Sequence, residues 1–546
     1  MKRGCCFLIC LIIFFDVFPQ EDAWVYFTDK ENVAASINNP ISILTQKAID
    51  RKAKHDVSID ARDVPVNEGY IEQIKNATGI SVKAKSKWFN AVHIRGLKTD
   101  VDNLVSDPDL NFIERIVYAD KSLNLKKHSK KKPEILHNKF EFVNTLVNFT
   151  FGDTQNQLEM IHVNDLHFDG YTGEGITIAV LDAAFTNVNT MSAFQRLRDA
   201  GHLLGGYDFV DRTSAIYHYN PTPVSISHGT QVLSTMAGFI ENSYVGTAPD
   251  ASYYLFRTED NNDENPVEES YWVEAAERAD SLGVDILNTS LGYKDYSPNY
   301  TRYSYDASEM NGNTTFITKG ANIAFEKGLL LVTSIGNSGS SGLGAPADSP
   351  NVLSVGAVNL NGDYAPFSSI GSAVQPSQKP DVVARGEAPY LVDVNDNIVQ
   401  NSGTSFSGPI MAGGIACLMQ ALPNKTNIEI MNLVRKAGSQ YEMPDYKLGY
   451  GIPNLYQAFE DALSIGDFGN EHIKIYPNPI TAELFVNLSS NYKNVSFQLY
   501  DTLGKLIFNS IIESPFSMNL SNLHQGIYVA KIHLNGDVKT FKLIKK

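Results

Sequence analysis

The hydrophobic pattern of the chain changes character along its length. From about 150 to 465, continuous apolar runs such as Ile176 to Leu181, Val284 to Leu287 and Leu329 to Thr333 alternate with stretches of helical period. Runs that are apolar at every position belong to strands buried on both faces of a parallel sheet, so this segment predicts an α/β domain. One intervening helix, Glu268 to Leu282, stops at Gly283, where glycine can end a helix without strain. The polar loop Glu259 to Asn265 and the tyrosine-rich stretch Tyr293 to Tyr305 are expected as surface insertions.

The flanking patterns differ. Over 21–125 a helical stretch, Ile41 to Lys54, precedes short strands at Ile80 to Val82 and Ala91 to Ile94, then a helix at Asp100 to Val105 and a strand at Ile113 to Val117. That alternation predicts a small α+β domain. The run Lys126-Lys127-His128-Ser129-Lys130-Lys131-Lys132-Pro133 reads as an exposed linker, placed in a linker or processing region at 126–155. The α/β segment then covers 156–465. Over 470–546, period-two runs (Leu484 to Leu488, Val495 to Tyr500, Tyr528 to Ile532) and the hairpin signal Asn535-Gly536 predict an all-β sandwich. At the other end, Lys2 and Arg3 precede an apolar run, Cys5 to Phe15, and the polar Gln20-Glu21-Asp22. Such a run is too short to span a bilayer and has the layout of a secretory signal peptide, taken as residues 1–20.

Composition narrows the class. With 546 residues, three or so domains are expected, and 43% hydrophobic and 19% charged residues describe a globular protein. A net charge of -16 argues against nucleic acid as a partner. Cys5, Cys6 and Cys10 fall in the signal segment, so Cys417 alone remains and an intramolecular disulfide is excluded from the exported chain. Its apolar neighbours Ile415, Leu418 and Met419 mark Cys417 as a core residue.

Candidate chemistry sits where buried strands meet glycine-rich turns. Asp182 follows its apolar strand directly, and His228-Gly229-Thr230 opens an apolar-periodic helix through Val232, Leu233 and Met236. Gly403-Thr404-Ser405-Phe406-Ser407-Gly408-Pro409 leads into another helix, with Pro409 expected in its first turn. A serine hydroxyl needs an imidazole to take its proton, and the imidazole needs a carboxylate to fix its tautomer. Parallel α/β sheets gather such residues outside the carboxyl ends of their strands. Asn337, in Gly336-Asn337-Ser338-Gly339 after the strand Leu329 to Thr333, supplies a neutral donor for an oxyanion. No HExxH or paired metal-ligand spacing occurs, which argues against a metal-dependent hydrolase.

Taken in the order Asp182, His228, Asn337, Ser405, these motifs resemble the subtilisin-like (subtilase) family. HGTQVLSTMAG, GTSFSGPIMAG, VGTAPDASYYLFR, SLG at Ser290 to Gly292, PNVLSVGAV and KPDVVARG stand in that family's relative order over about 160 to 462. The resemblance implies a three-layer α/β fold with a parallel sheet and serine endopeptidase activity. It assigns substrate-backbone pairing to Ser290, Leu291 and Gly292. Two departures stand out: Ala183-Ala184-Phe185 after the aspartate, where Ala184 for glycine is expected to strain a turn, and Phe406 for methionine, expected to reshape the pocket. Pocket shape is expected to depend on the loops after Ser290 and around Gly320. The first domain resembles bacterial subtilase propeptides. Tyr476-Pro477-Asn478-Pro479, Tyr500-Asp501-Thr502-Leu503-Gly504-Lys505 and Gly526-Ile527-Tyr528 resemble the type A sorting domain of type IX secretion. Together these imply a secreted or surface-located monomer of a Gram-negative bacterium that meets the type IX machinery and protein or peptide substrates. No cofactor is required for the chemistry. Acidic loops such as Asp260 to Glu264 are compatible with structural calcium, but the sequence places no calcium site. The competing reading is a surface adhesin on an inactive scaffold of the same fold.

Overall fold

The computed structural model describes residues 20–119, 149–218, 227–260, 263–463, 473–488, 495–502, 504–513, 516–534 and 537–546. The signal-like segment up to residue 19, the run Lys126 to Pro133 and the Asn535-Gly536 turn lie outside the described residues. The chain forms two compact units, 1–458 and 459–546.

The first unit begins with strands β1 (Gln20–Phe27), β2 (Ser81–Ser86), β3 (Ala91–Leu97) and β4 (Ile113–Tyr118), in an antiparallel sheet of order β2-β3-β1-β4. Alternation divides its two faces. Ala23, Val25, Phe27, Val92 and Ile94 pack with Ile71, Ile74, Val101 and Leu104 of the helices Glu68–Asn76 and Lys98–Ser106. Trp24, on the other face, stacks on Phe316 at a centroid distance of 4.5 Å. That face therefore rests on the α/β domain. The helix expected over Ile41 to Lys54 is shorter: a 3-10 turn at Pro40–Ser42 precedes a helix at Gln46–Lys54. Thr45 sets the break, because its side chain accepts the Ala48 N–H as an N-cap.

The α/β domain adds β5 (Thr177–Asp182), β6 (Leu203–Asp208), a short antiparallel ribbon of β7 (Phe239–Ile240) and β8 (Tyr244–Val245), then β9 (Ser252–Arg257), β10 (Ile286–Thr289), β11 (Leu330–Ser334), β12 (Leu353–Val358) and β13 (Val382–Arg385). Seven of these form one sheet, ordered β13-β12-β11-β10-β5-β9-β6, with every neighbouring pair parallel. Ala179, Leu181, Leu287 and Leu331 cluster with Trp272, Ala276, Ile317 and Ala321 from the helices Val267–Leu282 and Phe316–Glu326. Strand alternation turns Ile178, Val180 and Val332 to the opposite face. There the helices His228–Ala237 and Thr404–Ala421 pack against the sheet and each other. All three layers predicted for the domain are present.

Two expectations need correction. The stretch Tyr293 to Tyr305 is not a surface insertion, since Tyr293, Tyr296, Tyr303 and Tyr305 are all buried. Buried glutamate side chains make this possible by accepting the phenol hydroxyls on a carboxyl oxygen: Tyr305 donates to Glu269 Oε1 at 2.7 Å and Tyr293 donates to Glu259. The loop Glu259 to Asn265 is likewise buried at both ends, where Glu259 and Asn265 are largely inaccessible. Phe149 and Phe151, ahead of residue 156, pack against the buried His167 ring.

The second unit holds a three-stranded sheet (Ile473–Tyr476, Glu483–Leu488, Phe516–Asn519) and a four-stranded sheet (Leu506–Ile512, Val495–Asp501, Gly526–Leu534, Asp537–Lys545). Leu484, Val486, Phe497, Leu499, Ala530 and Ile532 share its core. Leu534 lies opposite Asp537 where the last two strands pair. No described helix is long and apolar enough to cross a membrane.

Candidate active site

The sheet topology brings the predicted residues to one end. Asp182 is the last residue of β5, Ser290 follows β10 directly, and Asn337 lies three residues beyond β11. All three strands are parallel, so these positions open at the same carboxyl-terminal edge, where open α/β sheets bind ligands.

Asp182 is fully buried, and its Oδ1 accepts the Ala183 N–H at 2.7 Å. His228 Nδ1 lies 2.6 Å from that same oxygen. His228 opens its helix, and Gly229 sits so close to the turn after β5 that a Cβ there would meet Ala184 O at 2.4 Å. Glycine at 229 thus lets the helix end approach Asp182. Neither Ala183 nor Ala184 adopts a left-handed φ, so the strain expected at Ala184 is absent. Burial pushes the His228 pKa down, while the charge and hydrogen bond of Asp182 raise it further, leaving it above the ordinary imidazole value. Nδ1 is committed to the carboxylate, so Nε2 is the nitrogen left to exchange a proton with a substrate or nucleophile.

Ser405 is the second residue of the helix Thr404–Ala421, with Gly403 as N-cap. The first N–H groups of a helix have no intrahelical partner: here Asn337 Oδ1 takes that of Thr404 and Gly403 O that of Phe406, while among the described hydrogen bonds none takes that of Ser405. Ser405 Oγ is 3.4 Å from Ser290 O, and among the described hydrogen bonds none joins it to His228. Such contacts commonly tighten only when substrate is bound. The expectation for Pro409 is overturned: it is the sixth residue of the helix, inside rather than in the first turn. Its missing N–H would have bonded the Ser405 carbonyl, and Ser290 Oγ donates to that carbonyl instead, at 2.9 Å.

Asn337 is exposed, and its orientation is fixed by a residue that sequence reasoning passed over. The Thr404 backbone N–H and hydroxyl both donate to Asn337 Oδ1, at 2.8 and 2.9 Å. An N–H can only donate, so the amide oxygen must face Thr404 and the NH2 group must face away. Thr404 lies in the GTS motif itself, yet motif spacing says nothing of which side chain it would clamp.

Two cavities border these residues. One, of about 300 Å³, lies between Ser290 to Gly292 and the stretch Ser334 to Ser338, with Ser405 at its end and Leu343 and Gly344 in its wall. Gly320 is not part of it, contrary to expectation: it sits inside the helix Phe316–Glu326, where a Cβ would press on Val273. Phe406 lines neither cavity either. It is buried beside the His228 ring, 6.1 Å between centroids, so it supports the imidazole rather than shaping a pocket. The second cavity, of about 470 Å³, reaches from His228 and Leu291-Gly292 to Glu259, Asp260, Asp263, Glu264 and Glu268. Glu259, Glu264 and Glu268 bring carboxylate oxygens within 4.8 Å of one another. Burial, and next the charge of Glu264, push the Glu259 pKa up to about 8. Leu291 and Gly292 follow the end of β10 outside its described ladder pairs and line both cavities.

Comparison with known proteins gives the family. A model of the subtilase family matches residues 173–451. The peptidase S8 propeptide domain of Bacteroidota matches 22–134, and the secretion system C-terminal sorting domain matches 474–546. The chain is 29% identical over 311 residues to subtilisin NAT of Bacillus subtilis subsp. natto, covering 55% of this chain and 70% of that protein. It is 31% identical over 265 residues to the thermophilic serine proteinase of Bacillus sp. (strain AK1), covering 47% and 57%. Among solved structures, MycP1 from Mycobacterium smegmatis is similar at 21% identity and a TM-score of 0.43, covering 59% of this chain and 89% of that one. The sorting domain makes this a secreted or cell-surface protein that engages the secretion machinery. With the family model spanning just over half of its residues, the chain belongs to the subtilase family of serine endopeptidases.

Proposed function

We propose that Ser405, His228 and Asp182 act as nucleophile, general base and orienting carboxylate in peptide-bond hydrolysis, with Asn337 as oxyanion donor. The observation that carries this reading is the 2.6 Å contact of His228 Nδ1 with a fully buried Asp182, beside a serine at a helix start. Ser405 Oγ attacks the scissile carbonyl while its proton passes to His228 Nε2. Asn337 Nδ2 and the Ser405 backbone N–H donate to the oxyanion of the tetrahedral intermediate. His228 then returns the proton to the leaving amine, giving an acyl-enzyme on Ser405 that water hydrolyses by the reverse roles. Ser290, Leu291 and Gly292 offer the substrate backbone a strand edge to pair with. No cofactor enters these steps, and a single chain supplies every group, so we propose a monomer.

An adhesin on an inactive scaffold finds no support, because each group the chemistry needs is present. A serine-directed phosphonate tests the assignment. Covalent labelling of the wild-type chain and none of Ser405→Ala is expected. Failure to label folded, processed wild-type protein would sink it.

A further inference from the structure

The propeptide domain holds the α/β domain at two places. Its sheet covers the helices Val267–Leu282 and Phe316–Glu326, where the Lys87 and Trp88 N–H groups donate to Glu277 at 2.8 and 2.9 Å. Residues 28–67 leave that sheet, carry the helix Gln46–Lys54, and reach a different part of the enzyme. Thr45 N–H donates to Ser281 O at 3.0 Å, closing the carboxyl end of the helix Val267–Leu282. Gly283, with φ 82°, ends that helix so close to the strap that a Cβ would meet Ala48 N at 2.6 Å. Lys47 pairs with Asp285 at 3.3 Å, and the Asn427 N–H donates to His55 Nδ1 at 3.2 Å.

A buried ion network lies at the centre of this contact. Lys52 pairs with Asp280 at 2.8 Å and Asp63 at 3.1 Å, and Lys327 pairs with Asp63 at 2.7 Å and Asp60 at 3.0 Å. Arg51 pairs with Asp280 and also donates to Val284 O. Asp280 and Lys327 belong to the α/β domain, while Arg51, Lys52, Asp60 and Asp63 belong to the strap. Among the described ion pairs, every one made by Asp280 and Lys327 is to the strap. The side chains of Arg51, Lys52, Asp63, Asp280 and Lys327 are at most 2% exposed, so salt screens them little. Cations at the carboxyl end of the helix Val267–Leu282 are also favoured by its dipole.

These contacts sit at the amino-terminal ends of the strands: Asp285 precedes β10, and Lys327 precedes β11. Asp182, Ser290 and Asn337 lie at the opposite ends, a strand length of roughly 15–20 Å away. We propose that residues 28–67 are a second anchor, remote from the catalytic cleft, that keeps the propeptide domain bound once the chain between the two domains has been cut. The inference rests on reading residues 20–119 as propeptide.

The test uses the full chain carrying Ser405→Ala, so its outcome is independent of the catalytic assignment. Residues 126–133 are replaced by the recognition sequence of a site-specific protease, the folded chain is cut there, and the fragments are followed by gel filtration. With the native strap, the propeptide fragment stays with the peptidase. With Arg51→Met/Lys52→Met, which strands Asp280 in a buried site, it dissociates at least about a hundredfold faster. Equal retention overturns the proposal. If the double variant does not fold, hydrogen exchange of the unmutated cut complex decides. The Thr45 amide and the helix Gln46–Lys54 must stay protected as long as β1 to β4 do. A strap that exchanges freely while the sheet remains bound overturns it equally.

Discussion

Ser290 Oγ donates to the Ser405 carbonyl at 2.9 Å, filling the position that Pro409 leaves without a donor. The substrate edge is thereby tied to the turn of helix that carries the nucleophile. Ser290→Ala should cost about 1–2 kcal/mol by leaving a buried carbonyl unpaired, and should lower kcat several-fold. Adding Pro409→Ala returns an N–H to that carbonyl, so the double variant should recover much of the thermal midpoint but little of kcat. A midpoint that does not recover would show that the hydrogen bond is not what was lost.

The His228 pKa lies above the ordinary imidazole value because Asp182 outweighs burial. Catalysis needs the neutral imidazole, so kcat/KM should rise with pH along a limb displaced upward from that ordinary value. In Asp182→Asn the burial penalty remains and the charge is gone, so the His228 titration should move downward, as NMR of the ring protons can follow. Its kcat should fall by a factor of order 10⁴, as known for such carboxylates in other triads. An unmoved titration would contradict the pairing.

Asn337 and Thr404 are expected to fail differently. Asn337→Ala removes the donor, and a kcat loss of about 10²–10³ with KM little changed is anticipated, a magnitude known from subtilisin rather than derived from this site. Thr404→Val keeps the backbone N–H on Asn337 Oδ1 and loses only the hydroxyl. A loss no larger than about tenfold should follow. Steady-state kinetics on one peptide separates the two, and comparable losses would argue that Thr404 acts by itself.

Stability should also depend on Glu259. Its folded-state pKa of about 8 stands above the ordinary 4.5, so the native chain holds a proton that the unfolded chain releases. The stabilisation is complete below about 4.5 and disappears as pH rises through about 8. Glu277, raised to about 7 by burial, adds a loss of the same sign. Thermal midpoints measured from pH 5 to 9 should decline, and Glu259→Gln should decline less. Parallel curves for the two proteins would refute the assignment to Glu259.

Much of this protein follows from its sequence because the relevant signals are local. Apolar runs at every position mark β5 and β11 as doubly covered strands; Asp182 ends the first run, and the glycine-rich Gly336-Asn337-Ser338-Gly339 behind the second marks where Asn337 emerges. What sequence could not supply are relationships set by side-chain direction and by contacts between distant segments. Tyrosine spacing over 293 to 305 is that of an exposed insertion until buried Glu259 and Glu269 appear as acceptors. Pro409 looks like a first-turn residue until the helix is seen to begin at Thr404, and the Ser405 carbonyl it leaves free goes to Ser290, 115 residues away. Ala184 and Phe406 look like threats to the turn and pocket, yet an ordinary φ and a buried ring make them benign. The strap network is the extreme case, since Lys52 and Asp280 are separated by 228 residues and only packing makes them partners. The sequence by itself thus determined the sheet, the order of the chemistry and the two flanking domains, because period and motif are properties of short segments. Tertiary structure alone decided which buried polar groups meet, because every such group must find a partner wherever the fold brings one within reach.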